Sequence, residues 1–304
     1  MPHSKYIVAI DIGGTNLRAY LVETNGAIIV HHRDLTPSPP SPTKVINVVD
    51  NLLRSDHRYQ DASALIVGVP GLVDSEMGIV RKNSNLSWVD VPFAKLAQEK
   101  WSRPVLIEND VRLHTLGELA SSTAAQNMLC VVIGTGVAMG IVVNGQIYKG
   151  SHLIAGELGH LTVDTHGVLC GCGKMGCLET VCGVRGLSRL YSQCSGDIVS
   201  DFPRKLIDGL SMGNTCAVEA WRYLSESLAW ALSAAIALFD PEKVIMGGGL
   251  GVFYPAWKEY FWPLLDSYLI PGTLRPQILP SALGEQAVTY GAIYLARSAG
   301  WMET

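Results

Sequence analysis

YIVAIDIGGTNLRAYLVETNGAIIVHHR, residues 6–33, decides the fold. An apolar run ends at Asp11-Ile12-Gly13-Gly14, a second run follows from Asn16, and Asn25-Gly26 separates it from a third, so the stretch reads as strand, glycine turn, strand, hairpin turn, strand. A second unit of the same design is MLCVVIGTGVAMGIVVNGQIYKG, residues 128–150. Here a strand from Met128 to Ile133 meets Gly134-Thr135-Gly136, a strand to Val143, the turn Asn144-Gly145 and a closing strand. Two copies about 120 residues apart imply either a duplication with one unit opening each of two domains, or two unrelated hairpins that share a common turn. A length of 304 residues favours two domains, each large enough to bury its own core.

Working outward, the Pro-rich stretch Thr36 to Pro42 reads as a loop, and Val45, Val48, Val49, Leu52 and Leu53 lie on one face of a helix. Strands are expected at Leu65–Val69 and Val105–Glu108, which makes the architecture alternating α/β. Past residue 180 the chain turns mainly helical: Leu224, Leu228, Leu232, Ile236 and Phe239 form one stripe, followed by the strand KVIM and Gly247-Gly248-Gly249. The expected small N-terminal α/β domain spans residues 1–117, with a helix at about 285–304 returning to it, and a larger domain spans 118–284.

The loop 156–180, within which GELGHLTVDTHGVLCGCGKMGCLE runs from Gly156 to Glu179, places His160, Cys170, Cys172 and Cys177 at spacings that suit a tetrahedral ion. One imidazole and three thiolates form a closed structural zinc set with no open position, so the metal is read as a staple for its neighbours and not as a reacting centre. The plainer alternative is three buried thiols beside an unrelated histidine.

Hydrophobic residues at 48% and charged residues at 16% describe a compact globular chain with little disorder. A net charge of −4 without basic runs excludes the phosphate-neutralising surface that nucleic acid requires, leaving small molecules or a second copy of the chain, a homodimer, as partners. The longest apolar stretch, Leu228 to Phe239, is too short to span a bilayer, and MPHSKYIVAI lacks the layout of a signal peptide, so a cytoplasmic protein is expected. Cys130, Cys182, Cys194 and Cys216 show no disulfide-like spacing and are read as reduced thiols.

The cysteine loop resembles the signature of the ROK family (repressors, open reading frames and sugar kinases), G-E-x-G-H, about ten residues, then C-x-C-G-x-x-G-C-x-E, and every position of it is present. The resemblance covers essentially the whole chain. It implies a two-domain actin-like ATPase (hexokinase-type) fold, with a central cleft and a zinc-bound loop. It also implies that Glu157, His160 and Glu179 contact a sugar, with His160 using one ring nitrogen for zinc and the other for the sugar. Glycines at Gly13-Gly14-Thr15-Asn16 and Gly134-Thr135-Gly136 let backbone N–H groups approach phosphates, and Gly247-Gly248-Gly249 matches the family's adenosine-side turn. Neither the P-loop nor the G-x-G-x-x-G pattern fits these turns.

Phosphoryl transfer to an alcohol needs a base, magnesium and in-line geometry. The family's E-N-D motif implies Asp110 as base beside the sugar-binding Asn109, while Asp110 is equally suited to cap the helix that runs to Glu118; both can hold. The same resemblance implies that Asp11 positions magnesium through water and that Asn85, in the loop RKNSNLSW, touches the sugar. Departures fall at Asn16, where many members carry Lys, and at Arg112 and His114, where small residues or Asn are usual. The function implied is an ATP-dependent, glucokinase-like hexose kinase. Kinases for allose, fructose, N-acetylmannosamine or N-acetylglucosamine are alternatives, as is a sugar-sensing regulator. Regulators of the family carry an added N-terminal DNA-binding domain, and only about six residues precede the first strand here, too few for a helix-turn-helix.

Overall fold

The computed structural model describes residues 5–83, 85–121, 125–197 and 204–302. The chain divides into two compact units, Met1–Thr123 with Gly150–Ile154 and Glu285–Thr304, and Ala124–Lys149 with Ala155–Gly284. No helix among the described residues is long and apolar enough to cross a membrane.

The first unit opens with β1 (Tyr6–Ile12), β2 (Asn16–Glu23) and β3 (Ile28–Leu35), an antiparallel meander. Next come α1 (Pro42–Ser55), β4 (Leu65–Val69), β5 (Leu72–Asp74), β6 (Ile79–Asn83), β7 (Trp88–Val91), α2 (Phe93–Trp101), β8 (Val105–Asn109) and α3 (Asp110–Ser121). The sheet order is β3-β2-β1-β4-β8, with β4 and β8 added in parallel. Strand β4, between β1 and β8, is buried at every residue, as expected of a parallel strand covered on both faces. On one face lies α1, whose Ser41 side chain accepts from the Lys44 N–H as N-cap. On the other lies the C-terminal helix Ala287–Ser298, which presents Ala292, Ile293 and Ala296 to Ile7, Ala9 and Ile66. This helix crosses α3 with almost no separation: a Cβ on Gly117 would stand 2.0 Å from the Ala287 carbonyl oxygen, and one on Gly291 1.9 Å from that of Leu113. The helix that begins at Asp110 is thereby packed closely against the C-terminal helix.

The small antiparallel sheet β5-β6-β7 is absent from the sequence reading. The stretch RKNSNLSW, read there as one loop, is corrected: Arg81–Asn83 belong to β6 and Trp88 to β7. Trp88 is buried, stacks on Phe93 at 5.3 Å between ring centroids and donates from Nε1 to the Pro40 carbonyl, so it anchors the core.

The second unit repeats the first sheet's design. Strands β9 (Met128–Ile133), β10 (Val137–Val143) and β11 (Gln146–Ile147) form the meander, and β12 (Lys243–Gly247) and β13 (Gln277–Pro280) add in parallel, giving β11-β10-β9-β12-β13. Asn144 and Gly145 both take positive φ, 51° and 73°, as a type I′ hairpin turn demands. Helices follow: α4 (Glu179–Cys182), α5 (Val184–Ser195), α6 (Arg204–Ser211), α7 (Thr215–Phe239), α8 (Gly248–Gly251) and α9 (Tyr254–Tyr268). The stripe Leu224, Leu228 and Leu232 of α7 is fully buried, and Trp221 stacks on Trp257 of α9. Leu228→Ala is expected to lower stability by about 2–5 kcal/mol, read as a fall in the urea midpoint.

One cysteine assignment is overturned. Cys194 and Cys216 form a disulfide, with Cα atoms 5.4 Å apart. They lie in the last turn of α5 and the first turn of α7, 22 residues apart, and only the packing of these helices brings them together. Cys130 and Cys182 are buried and outside any disulfide, in keeping with reduced thiols.

Candidate active site

In the first unit the candidate residues gather at two strand ends. The β8–α3 junction carries Glu108, Asn109 and Asp110. Asn109, not Asp110, fills the capping role: its Oδ1 accepts the Arg112 N–H at 2.9 Å, three residues on, and its Nδ2 donates to the Gly71 carbonyl at 2.9 Å. Asp110 is the first residue of the helix, half-buried, and its Oδ1 accepts the Val111 N–H at 2.9 Å. Of the two departures, Arg112 is buried, with Nε 3.1 Å from Glu108 Oε1 and Nη2 donating to the Val73 carbonyl. His114 is buried too, and burial pushes its pKa down to about 4, so it is neutral at pH 7.

The other strand end is the β1–β2 turn. The Gly13 N–H bonds the Asn16 carbonyl and the Thr36 hydroxyl donates to the Gly13 carbonyl, which leaves Gly14 and Thr15 exposed at the tip. Asn85 adjoins this turn, its Cβ 3.5 Å from where a Cβ on Gly14 would lie. Asp11 pairs with Arg18 at 3.4 Å, and Arg18 also reaches Glu285 at 3.5 Å. Burial raises the Asp11 pKa while the Arg18 charge opposes the rise. Asn16 Oδ1 accepts two bonds from the Arg33 guanidinium, at 3.1 and 2.8 Å, so a cation stands beside the turn although residue 16 is not Lys.

In the second unit the G-E-x-G-H block lies flat on β10. A Cβ on Gly156 or Gly159 would fall within 2 Å of the Met139 or Val137 carbonyl oxygen, which is why both positions exclude any side chain. The block therefore delivers Glu157 and His160 to the end of β10. His160 Nε2 lies 3.6 Å from Glu157 Oε2, and His160 Nδ1 lies 3.6 Å from both Glu179 Oε1 and Cys170 Sγ. Glu179 in turn lies against the second glycine turn, with Oε2 2.5 Å from where a Cβ on Gly136 would be. The turn itself is closed by Gly134 N–H to the Gly136 carbonyl, leaving Thr135 exposed. Gly247 caps the short helix α8, and a side chain on Gly249 would meet open space. A cavity of about 550 Å³ also lies in this unit, walled by Asp164, Arg189, Glu219, Tyr223 and the disulfide, but Glu157, His160 and Glu179 are not among its walls.

The ligand atoms of His160, Cys170, Cys172 and Cys177 all lie within 4.8 Å of one another. Tetrahedral zinc, with Zn–S about 2.3 Å and Zn–N about 2.1 Å, sets its ligand atoms about 3.5–3.8 Å apart. Cys172 Sγ to Cys177 Sγ and Cys170 Sγ to His160 Nδ1 are each 3.6 Å, so the cluster fits such an ion. Burial raises the Cys170 and Cys177 thiol pKa values, a penalty on the thiolates that a bound cation would offset. Because Nδ1 faces the sulfurs and Nε2 faces Glu157, the two nitrogens of His160 serve different neighbours.

Two units with one repeated strand order are the two-domain actin-like ATPase fold of sugar kinases. The structure of a ROK family glucokinase from Streptomyces griseus in complex with glucose and AMPPNP matches with a TM-score of 0.85 at 26% identity, covering 96% of this chain and 99% of that one. The chain belongs to the ROK family, whose model matches residues 7–299. It is 28% identical to the glucokinase of Streptomyces coelicolor over 95% of its own length and 97% of the relative. It is also 28% identical to the N-acetyl-D-glucosamine kinase of Haemophilus influenzae, over 89% of this chain and 91% of the relative.

Proposed function

We propose that this chain is an ATP-dependent hexose kinase that transfers the γ-phosphoryl group to the sugar 6-hydroxyl, with glucose as its principal substrate. Asp110 carries the reading: a half-buried carboxylate at a strand–helix corner, in a chain that is similar to a glucokinase over nearly its full length. In the proposed step the Asp110 carboxylate accepts the 6-hydroxyl proton while that oxygen bonds to the γ-phosphorus and the β,γ-bridging oxygen leaves with ADP. Asn85, Asn109, Glu157, His160 and Glu179 hold the sugar. The turns at Gly13-Gly14-Thr15-Asn16, Gly134-Thr135-Gly136 and Gly247-Gly248-Gly249 hold the nucleotide, and Asp11 positions magnesium, which balances phosphate charge. Zinc on His160, Cys170, Cys172 and Cys177 fixes the loop. We further propose a homodimer in the cytoplasm, and a division into a small domain, residues 1–117 and 285–304, and a larger one, residues 118–284.

Glu157, Glu179 and Asn109 are hydrogen-bonding groups, so a sugar that leaves one unpaired loses about 1–3 kcal/mol, roughly 5- to 150-fold in kcat/KM. In a coupled ADP-release assay over glucose, allose, mannose, fructose, N-acetylmannosamine and N-acetylglucosamine, glucose and its near epimers are expected to lead, and deoxy sugars to be poor. The similarity to an N-acetyl-D-glucosamine kinase gives the competing outcome: a clear lead for an N-acetyl sugar reassigns the substrate and keeps the reaction. No turnover of any of these sugars overturns the kinase reading.

A further inference from the structure

We infer that Arg112 is a positioning residue of the candidate active site, whose buried guanidinium, braced between Glu108 and the Val73 carbonyl, fixes the corner that carries Asn109 and Asp110. The inference rests on the kinase reading for its effect on turnover, and on geometry alone for the contacts. Glu108 Oε1 is shared: it accepts the Asn109 N–H at 2.8 Å and lies 3.1 Å from Arg112 Nε. The Arg112 N–H goes back to Asn109 Oδ1 at 2.9 Å, and Arg112 Nη2 reaches the Val73 carbonyl at 2.9 Å. Asn109 Nδ2 binds the Gly71 carbonyl, two residues before Val73. The residues flanking Asp110 are thus tied to each other and to the 71–73 segment, and one guanidinium joins the two sets of bonds.

Glu108 and Arg112 are 1% and 6% exposed, so the pair sits where water contributes little. A buried ion pair is seldom better for stability than apolar side chains of the same size. Moreover, Arg112 Nη1 is buried with no hydrogen-bond partner among the described residues, which a purely structural filler would avoid. The charged fork at the residue two places after Asp110 supplies directional bonds that orient the corner, a task that volume alone does not perform.

Three variants test this: Arg112→Met, Arg112→Lys and the double Glu108→Gln/Arg112→Met. Each is assayed for kcat and KM, for glucose binding by calorimetry without nucleotide, for thermal midpoint, and for amide hydrogen exchange at Asn109 and Arg112. In Arg112→Met, kcat is expected to fall about 10- to 100-fold, the loss that follows a displacement of about 1 Å, with a smaller change in sugar KM and faster exchange at both amides. The double variant, which leaves no unpaired buried charge, is expected to regain the thermal midpoint without regaining kcat. It also decides the matter if Arg112→Met does not fold. Arg112→Lys should recover part of kcat. A folded double variant with near wild-type kcat, a Lys variant no better than Met, or unchanged exchange at Asn109 and Arg112 would each overturn the inference. If the wild-type protein phosphorylates no hexose, the kinase reading fails separately, and the exchange measurement still decides whether Arg112 orders the corner.

Discussion

Replacing Asp110 by Asn is expected to lower turnover by about two orders of magnitude or more while leaving sugar affinity nearly intact. The amide can still accept the Val111 N–H at Oδ1, so the start of α3 survives, and Asn109 continues to cap it. What is lost is the ability to take a proton from the 6-hydroxyl as its oxygen attacks phosphorus. Binding without nucleotide, measured by calorimetry, should therefore match the wild type, and single-turnover phosphorylation should not. Turnover within a factor of a few of wild type would remove Asp110 from the role of base. Equal loss of binding and turnover would instead mark it as a sugar contact.

Cys170→Ala and Cys172→Ala are each expected to abolish stoichiometric zinc and to lose sugar binding with it. His160 Nδ1 lies 3.6 Å from Cys170 Sγ, and Glu179 Oε1 lies 2.8 Å from the same sulfur, so this thiol is in contact with two of the proposed sugar ligands. The residues around the cluster are largely turns, tied through contacts such as Lys174 Nζ to the His160 carbonyl, with few strand or helix bonds to keep them in place once a ligand is removed. Elemental analysis of wild-type protein should return about one zinc per chain, the stoichiometry of a closed four-ligand site. Folded, active protein with no metal would end the zinc assignment. A zinc-free variant that binds sugar normally would separate the loop's structure from its proposed task.

The two meanders were legible because each combines apolar runs with glycine at a strand end and Asn-Gly at a hairpin, three local signals that agree. The cysteine loop was legible for a related reason: four candidate ligands lie within 18 residues, so spacing alone constrains their geometry. The small sheet was not, since β5 and β7 have three and four residues and no periodicity survives at that length. Nor was the division of labour at the β8–α3 corner, where Asn and Asp are both good caps and only the Arg112 N–H contact shows which one serves. The Glu108–Arg112 pair is spaced i,i+4, but its first member lies on a strand, outside the helical rule that gives this spacing its meaning. The Cys194–Cys216 bond depends on the packing of α5 against α7, which no local pattern records.

The helix Ala287–Ser298, which covers one face of the first sheet and crosses α3, has a consequence for biosynthesis. Ile7, Ala9 and Ile66 leave the ribosome well before Ala292, Ile293 and Ala296, which shield them from water. Between the two, the whole intervening unit is translated. The nascent first sheet therefore presents an uncovered apolar face until that helix emerges, while the unit inserted between its halves is contiguous enough to close in the meantime.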